Sequence, residues 1–300
     1  MAISNSLGSV SAVLSIFPDV VDTRSSLPPQ QPGRRTEPLG TAKGGRTAHT
    51  RRSRAASART RSPQTPLDTV TRVVKRIELF RGLSFSESRE IAMSARERVF
   101  AHGETIFLED GPIGFVSAVV SGHVKTVRSS RVGKLVILHL AGPGEVLNGL
   151  RLSMGGNHIF TAQAVGRCRV LTWDARAFEE FVRKFPTLQS NATRLLFRRL
   201  RITEGRLHEL ATERVPQRLA RVLLRLIVQS ERCERCQPID LSCEELAQMA
   251  GTTLYTVSRL LCSWAAERII QPERSAILVE NLPGLIHIAT QATSLREQIG

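Results

Sequence analysis

The sequence predicts an α+β protein: a small antiparallel β-roll, a long helix, and a carboxy-terminal helix-turn-helix closed by a β-wing. Three patterns carry that expectation. Short β-branched segments with a two-residue period, FVSAVV, HVKTV, KLVILHL and RVLTW, are set off by Gly122, Gly133, Gly142, Gly144 and Gly166, as strands and turns of an antiparallel sheet would be. Leu196, Leu200, Thr203, Leu207 and Leu210 then recur at spacings of four and three, a helical period. Residues 241–270, LSCEELAQMAGTTLYTVSRLLCSWAAERII, read as two short helices about a central glycine.

Residues 1–66 stand apart in composition. They hold nine Arg and one Lys against three acids, a net +7 of the chain's formal +15, so the remainder still carries +8. Rich in Pro, Gly, Ser and Thr with little to bury, they are expected to be a disordered basic extension. Two readings of it stay open: an arm adding salt-sensitive, sequence-independent affinity for a polyanion, or a dispensable terminus. From Thr69 to Ala95 the pattern is helical, with Val73, Val74, Ile77 and Phe80 on one face and an S-x-x-E capping box from Ser84 to Glu87. The roll follows and ends in the helical segment DARAFEEFVRKF, which gives a first domain over residues 67–185. Residues 186–212 form the long helix, whose apolar seam suits a partner helix; burial within one subunit is the competing reading of the same period. Pro216 fits the first turn of the next helix, QRLARVLLRLIVQ, which opens the last domain, residues 213–300.

In that domain Ser242 and Glu245 form a second capping box, Leu246 and Met249 give the first short helix its apolar face, and Gly251 supplies the positive φ of a tight turn. Ala247 falls where the two helices cross. Val257, Leu260, Leu261 and Trp264 face inward on the second helix. Its outer face carries Thr252, Thr253, Tyr255, Thr256, Ser258, Arg259 and Ser263, hydrogen-bonding groups with one positive charge, which suits the edge of a DNA major groove. After Ile270 the segment AILVE would close a wing. The basic balance agrees with a phosphate-bearing partner. No run approaches the ~18 apolar residues of a membrane span. Residues 9–21 lack a basic start and contain Pro18 and Asp19, unlike a secretory signal. A cytoplasmic protein without a membrane partner is expected.

HGETIFLEDGP at the start of the roll, GPGEVL at its rim, RRLRITE in the long helix and AGTTLYTVSRLL in the helix-turn-helix, in this order, resemble the Crp/Fnr superfamily of bacterial transcription regulators. The resemblance covers residues 70–290. It implies a cyclic-nucleotide-binding-like sensor roll, a dimerisation helix and a winged helix-turn-helix, acting as a homodimer on a palindromic double-stranded DNA operator. RNA polymerase would be a partner of an activator. By the same resemblance Arg259 reads guanine, with Ser258 and Tyr255 beside it. The family often has glutamate where Tyr255 stands, so the base preferred there is left open. Thr252 and Thr253, at the helix start, suit phosphate contacts or capping, and Thr256 completes the expected DNA-facing set.

Cyclic-nucleotide members place a Gly-Glu-Leu and an Arg-Ser pair around ribose and phosphate. Here Asn148-Gly149-Leu150 and His158-Ile159 stand at those places, Glu204 follows the matching Thr203, and Arg151 offers the nearby guanidinium. Loss of a charge-assisted bidentate contact disfavours cyclic AMP. Asn148, Gly149, Arg151, His158 and Thr203 are therefore the candidate residues for some other effector. Oxygen-sensing members carry an amino-terminal cysteine cluster, but the first cysteine here is Cys168. Cys233, Cys236 and Cys243, spaced C-x2-C-x6-C, with Cys262 as a fourth, admit an iron–sulfur cluster or other metal, a redox-sensitive disulfide, or ordinary thiols. His102, His123, His139, His158 and His208 are ungrouped and read as structural, with haem binding through one of them left open. No Ser/His/Asp order, paired carboxylates or phosphate loop points to an enzyme. The reading from another class is a signalling module that controls a partner protein through the long helix without binding DNA.

Overall fold

The computed structural model describes residues 2–5, 66–130, 133–149, 156–231, 241–272 and 276–291. Strand β1 (Ala2–Asn5) pairs in parallel with the strand Ala276–Val279. This corrects the expectation of disorder throughout residues 1–66: one edge of that later strand has free backbone groups, and four residues suffice to fill it. Residues 6–65 lie outside the described residues.

Helices α1 (Pro66–Arg76) and α2 (Phe85–Met93) flank a 3-10 turn at Glu78–Phe80. The helix restarts on the expected capping box: Glu87 N–H donates to Ser84 Oγ at 3.2 Å, and Ser84 N–H donates to the Glu87 carboxylate at 2.7 Å. Strands β2 (Arg96–Phe100), β3 (Thr105–Phe107), β4 (Phe115–Ser129), β5 (Leu135–Ala141) and β6 (Thr161–Asp174) make one antiparallel sheet in the order β2-β6-β4-β5, with β3 also on β6.

FVSAVV and HVKTV, expected as two strands parted by a turn, are a single strand. Gly122 (φ +78) and Gly166 (φ +69) sit inside β4 and β6, where the ladder slips between Val119 and His123. They are bulges rather than turns, and bulges bend both strands so that the sheet rolls over itself. At Gly122 the approach is tight, because a Cβ there would lie 2.4 Å from the Arg167 carbonyl oxygen.

Phe100, Ile106, Val124, Leu147 and Val170 fill the roll. Outside it, α1, α2 and α3 (Ala175–Lys184) close over Trp173, which is 1% exposed, packs edge-on against Phe80 at 5.2 Å and donates Nε1–H to the Ile91 carbonyl at 3.0 Å. The ring's one polar atom is thereby satisfied. Helix α4 (Pro186–Thr212) leaves the roll with Asn191 buried beneath it, donating to the carbonyls of Leu79 (3.0 Å) and Arg81 (2.7 Å).

The last domain consists of α5 (Val215–Glu231), α6 (Cys243–Ala250), α7 (Leu254–Ala266), the antiparallel wing β7 (Ile270–Pro272) and β8 (Ala276–Val279), and α8 (Leu282–Thr290). Leu223, Ile227, Leu246, Val257, Trp264 and Leu285 form its core. Leu140 and Val165 of the roll join the same cluster, so the two domains share buried apolar contact.

The two strand glycines separate two costs. Gly166 has nothing within 4 Å of an added Cβ, so Gly166→Ala bears only the left-handed backbone cost of about 1–2 kcal/mol. Gly122→Ala adds a collision with backbone and is expected to destabilise more. Urea unfolding of both variants measures the difference, and equal midpoints would refute the close approach at Gly122.

Candidate functional site

Two features stand out: the outer face of α7, and a cavity between the roll and α4. Helix α6 begins on the second capping box, with Ser242 N–H (2.8 Å) and Oγ (2.9 Å) donating to Glu245 Oε2 and Glu245 N–H returning to Ser242 Oγ at 3.2 Å. It ends at Gly251, left-handed at φ +63, ψ +46, where Thr252 N–H donates to the Ala247 carbonyl at 3.0 Å. Arg218 of α5 caps this end, donating to the carbonyls of Ala250 (2.9 Å) and Gly251 (3.3 Å). Gly251 is also a close approach: an added Cβ would meet Leu210 Cδ2 of α4 at 2.8 Å. Thr253 caps α7, its Oγ1 accepting from Thr256 N–H at 3.2 Å. Val257, Leu261 and Trp264 are buried and Leu260 half-buried, as the periodicity predicts. On the opposite side Tyr255, 76% exposed, stands with exposed Thr253, Ser258 and Arg259 and half-buried Thr252 and Thr256. The first turns of α7 therefore present hydroxyls, one guanidinium and a helix amino terminus to solvent, chemistry suited to phosphate and base edges.

The cavity, about 290 Å³, lies between β5, the rim of the roll and α4. Leu138, Leu147, Phe160, Leu195 and Ile202 give it an apolar lining. Asn148, Gly149, His158 and Thr203, four of the five expected effector residues, meet there; Arg151 lies outside the described residues. Three of the four serve the fold. Asn148 Oδ1 accepts from Ser117 N–H (2.7 Å) and Oγ (2.8 Å), and its amide donates to the Phe115 carbonyl (2.7 Å). Gly149 has φ +91, and a Cβ would sit 2.7 Å from Val116. Thr203 Oγ1 donates to its own helix at the Arg199 carbonyl, 2.9 Å away. His158 differs. It is 5% exposed, stacks on Phe107 at 4.0 Å, and its Nε2 has no hydrogen-bond partner; burial lowers its pKa and favours the neutral ring.

A charged cluster on the cavity wall escaped the sequence reading, which treated the histidines as ungrouped. Glu145 Oε2 lies 2.7 Å from His139 Nε2, and Glu145 Oε1 accepts from Gly142 N–H at 3.2 Å. Burial pushes this carboxyl up, but His139, the Gly142 amide and the charge of Arg199 outweigh it and hold it at about 2. Buried His123 also feels the Glu145 charge, though desolvation is the larger effect and lowers its pKa. Arg199 donates to the Val146 carbonyl (2.9 Å), Arg198 pairs with Glu78, and Arg206 donates to the Leu138 carbonyl. Arg199, Thr203 and Arg206 follow the i, i+4, i+7 period of one helix face, a signal present in the sequence.

Of the four candidate cysteines, two are described, and they lie on different helices. Cys233 and Cys236 lie outside the described residues, Cys243 is half-buried at the start of α6, and Cys262 is exposed on α7. Among the described residues no group of three or more His, Cys, Asp or Glu side chains is placed to hold a metal. Burial pushes the Cys168 thiol up to about 12, which makes it unreactive.

Glu145 has a pH signature. Its carboxyl is held at about 2 against an ordinary 4.5, so its stabilisation is complete above pH 4.5 and is lost as pH falls toward 2. A shift of that size corresponds to about 3 kcal/mol. Glu145→Gln should lower stability at pH 7 and flatten this acid limb, as followed by urea unfolding at pH 7, 5 and 3. An unchanged slope in the variant would exclude the cluster as its origin.

Residues 97–185 match the family model for a cyclic nucleotide-binding domain, and residues 217–288 that for a Crp-like helix-turn-helix domain. The chain is 32% identical over 196 residues to the cyclic AMP receptor protein of Thermus thermophilus, covering 64% of this chain and 88% of that one. It is 27% identical over 212 residues to the CRP-like cAMP-activated global transcriptional regulator of Mycobacterium tuberculosis, covering 70% and 95%. The solved structure of FixK2 from Bradyrhizobium japonicum shares the fold, with a TM-score of 0.57 and 24% identity over 66% of this chain and 98% of that one. Among the described residues no helix is long and apolar enough to cross a membrane. With both domain matches in the expected order and a relative aligned over most of its own length, the chain belongs to the Crp/Fnr family of transcription regulators, DNA-binding proteins rather than enzymes.

Proposed function

We propose that the chain acts in the cytoplasm as a homodimer on a palindromic operator, controlled by an effector other than cyclic AMP in the cavity between the roll and α4. The domains are a sensor over 67–185, a dimerisation helix over 186–212 and a reader over 213–300. The observation that carries this reading is the uncovered seam of α4: Leu196 is 40% exposed, Phe197 64%, Leu200 53%, Leu207 68% and Leu210 53%. A 27-residue helix with such a row facing water loses apolar burial that a second copy would restore. Two copies give two α7 faces related by a twofold axis, which favours half-sites about one helical turn apart. Arg259 would take a guanine through N7 and O6, with Ser258 and Tyr255 on neighbouring bases and Thr252, Thr253 and Thr256 near phosphate. RNA polymerase is a further partner if the protein activates.

The Thermus and Mycobacterium relatives carry cyclic AMP in their names, which favours that nucleotide as the second reading. Against it, Asn148 and Gly149 are engaged inside the roll where the family pattern has Gly-Glu, and His158 stands where it has arginine. A redox signal at the cysteines has less support: among the described residues no group of three or more His, Cys, Asp or Glu side chains is placed to hold a metal. The β4–β5 hairpin offers a route from cavity to reader. Thr126, Leu138 and His139 line the cavity, while neighbouring Lys125 pairs with Glu245 at 2.7 Å and the Leu140 carbonyl accepts from Gln229 at 2.8 Å. An effector controls the reader only by binding its two arrangements unequally.

Selection from a random DNA pool should return a palindrome, and Arg259→Ala should erase preference at one symmetric base pair at a cost of about 1–3 kcal/mol. Sequence-indifferent binding, unchanged by that substitution, would refute the operator reading. Leu207→Glu should move the protein from dimer to monomer in sedimentation and weaken operator binding; an undiminished dimer would show that the seam is not the interface.

A further inference from the structure

We propose that the effector is a small monoanionic acid with an apolar body, its carboxylate received by Arg206 and its body lying on the leucine- and phenylalanine-lined wall toward His158. This rests on the reading of the cavity as the effector site. Among the described residues, the charged groups on the wall are held in different ways. Arg198 is held by Glu78 and Glu145 by His139, while Arg199 donates to the Val146 carbonyl and feels the Glu145 charge. Arg206 has no carboxylate within ion-pair distance among the described residues. One of its terminal nitrogens donates to the Leu138 carbonyl, and its buried Nε has no hydrogen-bond partner. The neighbouring cation, Arg225, adds repulsion that exceeds the attraction of Glu209, whose carboxylate is bound to Arg225 at 2.8 and 3.0 Å. Burial and that repulsion draw the Arg206 pKa down to about 10, which leaves the group charged at neutral pH.

A guanidinium only donates, so its unmet N–H needs an acceptor, and a positive charge without an ion pair prefers a negative one. The second unmet buried atom on the wall, His158 Nε2, belongs to a ring that burial keeps neutral, so it can donate or accept a single hydrogen bond but brings no further charge. Glu145 and Glu78 would repel a second negative charge, which limits the ligand to one. Leu138, Leu147, Phe160, Leu195 and Ile202 give the rest of the wall an apolar surface, interrupted by Thr126, Asn148, Asn157 and Thr203. At about 290 Å³ the space lies near the lower end of the roughly 300–1,000 Å³ range of small-molecule sites. A short aliphatic or single-ring acid satisfies charge, shape and polarity together.

The test is calorimetric titration of the full chain with octanoate and phenylacetate, with the neutral octanamide and with cyclic AMP, alongside operator affinity with and without each compound. Octanoate or phenylacetate should bind, with octanamide about tenfold to a hundredfold weaker, as expected for a lost hydrogen bond to a charged group. Arg206→Gln should bring the acid down to the amide's affinity, and Arg206→Lys, which keeps a point charge, should lose less. Thermal unfolding without ligand checks that each variant folds. Binding of neither acid, equal affinity for acid and amide, or acid binding indifferent to Arg206→Gln would overturn the assignment. Cyclic AMP binding that depends on Arg206 while both acids fail would replace the acid with the nucleotide. Arg206-dependent acid binding that leaves operator affinity unchanged would support the ligand class but remove the cavity's role as effector site. Loss of operator selectivity in the wild type would overturn the regulator reading alone.

Discussion

Helix α4 must satisfy three different surroundings along one rod, and the rest of the molecule is arranged around that demand. Near its start, Leu188 and Asn191 are buried under the sensor, and the Asn191 amide donates to the carbonyls of Leu79 and Arg81. Along the middle, Arg199 and Arg206 turn toward the cavity while Leu200 and Leu207 face solvent. Near its end, Leu210 sits against Gly251, in the turn of the DNA-reading motif. A helix is stiff over this length, so a rotation that improves one face alters the other two. Packed interfaces of this kind have a few preferred arrangements rather than a continuum.

The turn between α6 and α7 shows how closely the reader is tied to that rod. Gly251 supplies the positive φ of the turn, and a Cβ there would also have to displace the end of the Leu210 side chain on α4. Glu245 doubles in the same way. One carboxylate oxygen closes the capping box of α6, and the other accepts from Lys125 on the sensor strand β4. Burial pushes this carboxyl up, yet Lys125 and Ser242 outweigh it and keep it ionised. A group that starts a DNA-domain helix and also receives a sensor lysine makes the two domains share an electrostatic contact in addition to the apolar one at Leu140 and Val165.

What the sequence made legible was local. Both capping boxes, the left-handed Gly251, the buried face of α7 and the seam of α4 depend on residues within about two turns of one another, and periodicity encodes such relations directly. Where the partner lies far along the chain, the reading was incomplete. A glycine with positive φ gives the same signal in a turn and in a bulge, and at Gly122 the Arg167 carbonyl decides between them. Asn148 was expected to face a ligand, but Ser117 and Phe115, some thirty positions earlier, claim its side chain. Glu145, His139 and Arg199 come together only once the roll has closed and α4 has packed on it. Of the cysteine pattern only Cys243 and Cys262 are described, on separate helices, while Cys233 and Cys236 lie outside the described residues.

The Glu145 and Arg199 pairing has a mechanical consequence that the geometry of α4 makes specific. The carboxylate belongs to the rim of the roll and the guanidinium to α4, so the attraction crosses the boundary along which the helix would move. In a half-buried site, separating opposite charges exposes each to desolvation without a partner, which penalises intermediate positions more than either end. Arg206, about two turns further on, donates to the Leu138 carbonyl and feels the carboxylate of Glu209, which Arg225 already binds. Among the described residues the wall thus has the His139–Glu145 ion pair at one end and no ion pair on Arg206 at the other, weaker end. An anion arriving at the weak end would strengthen the side of the helix nearer Leu207, Leu210 and Gly251, where seam and reader meet. Charge complementarity in the cavity and packing at the turn are thus coupled through less than two turns of the same helix.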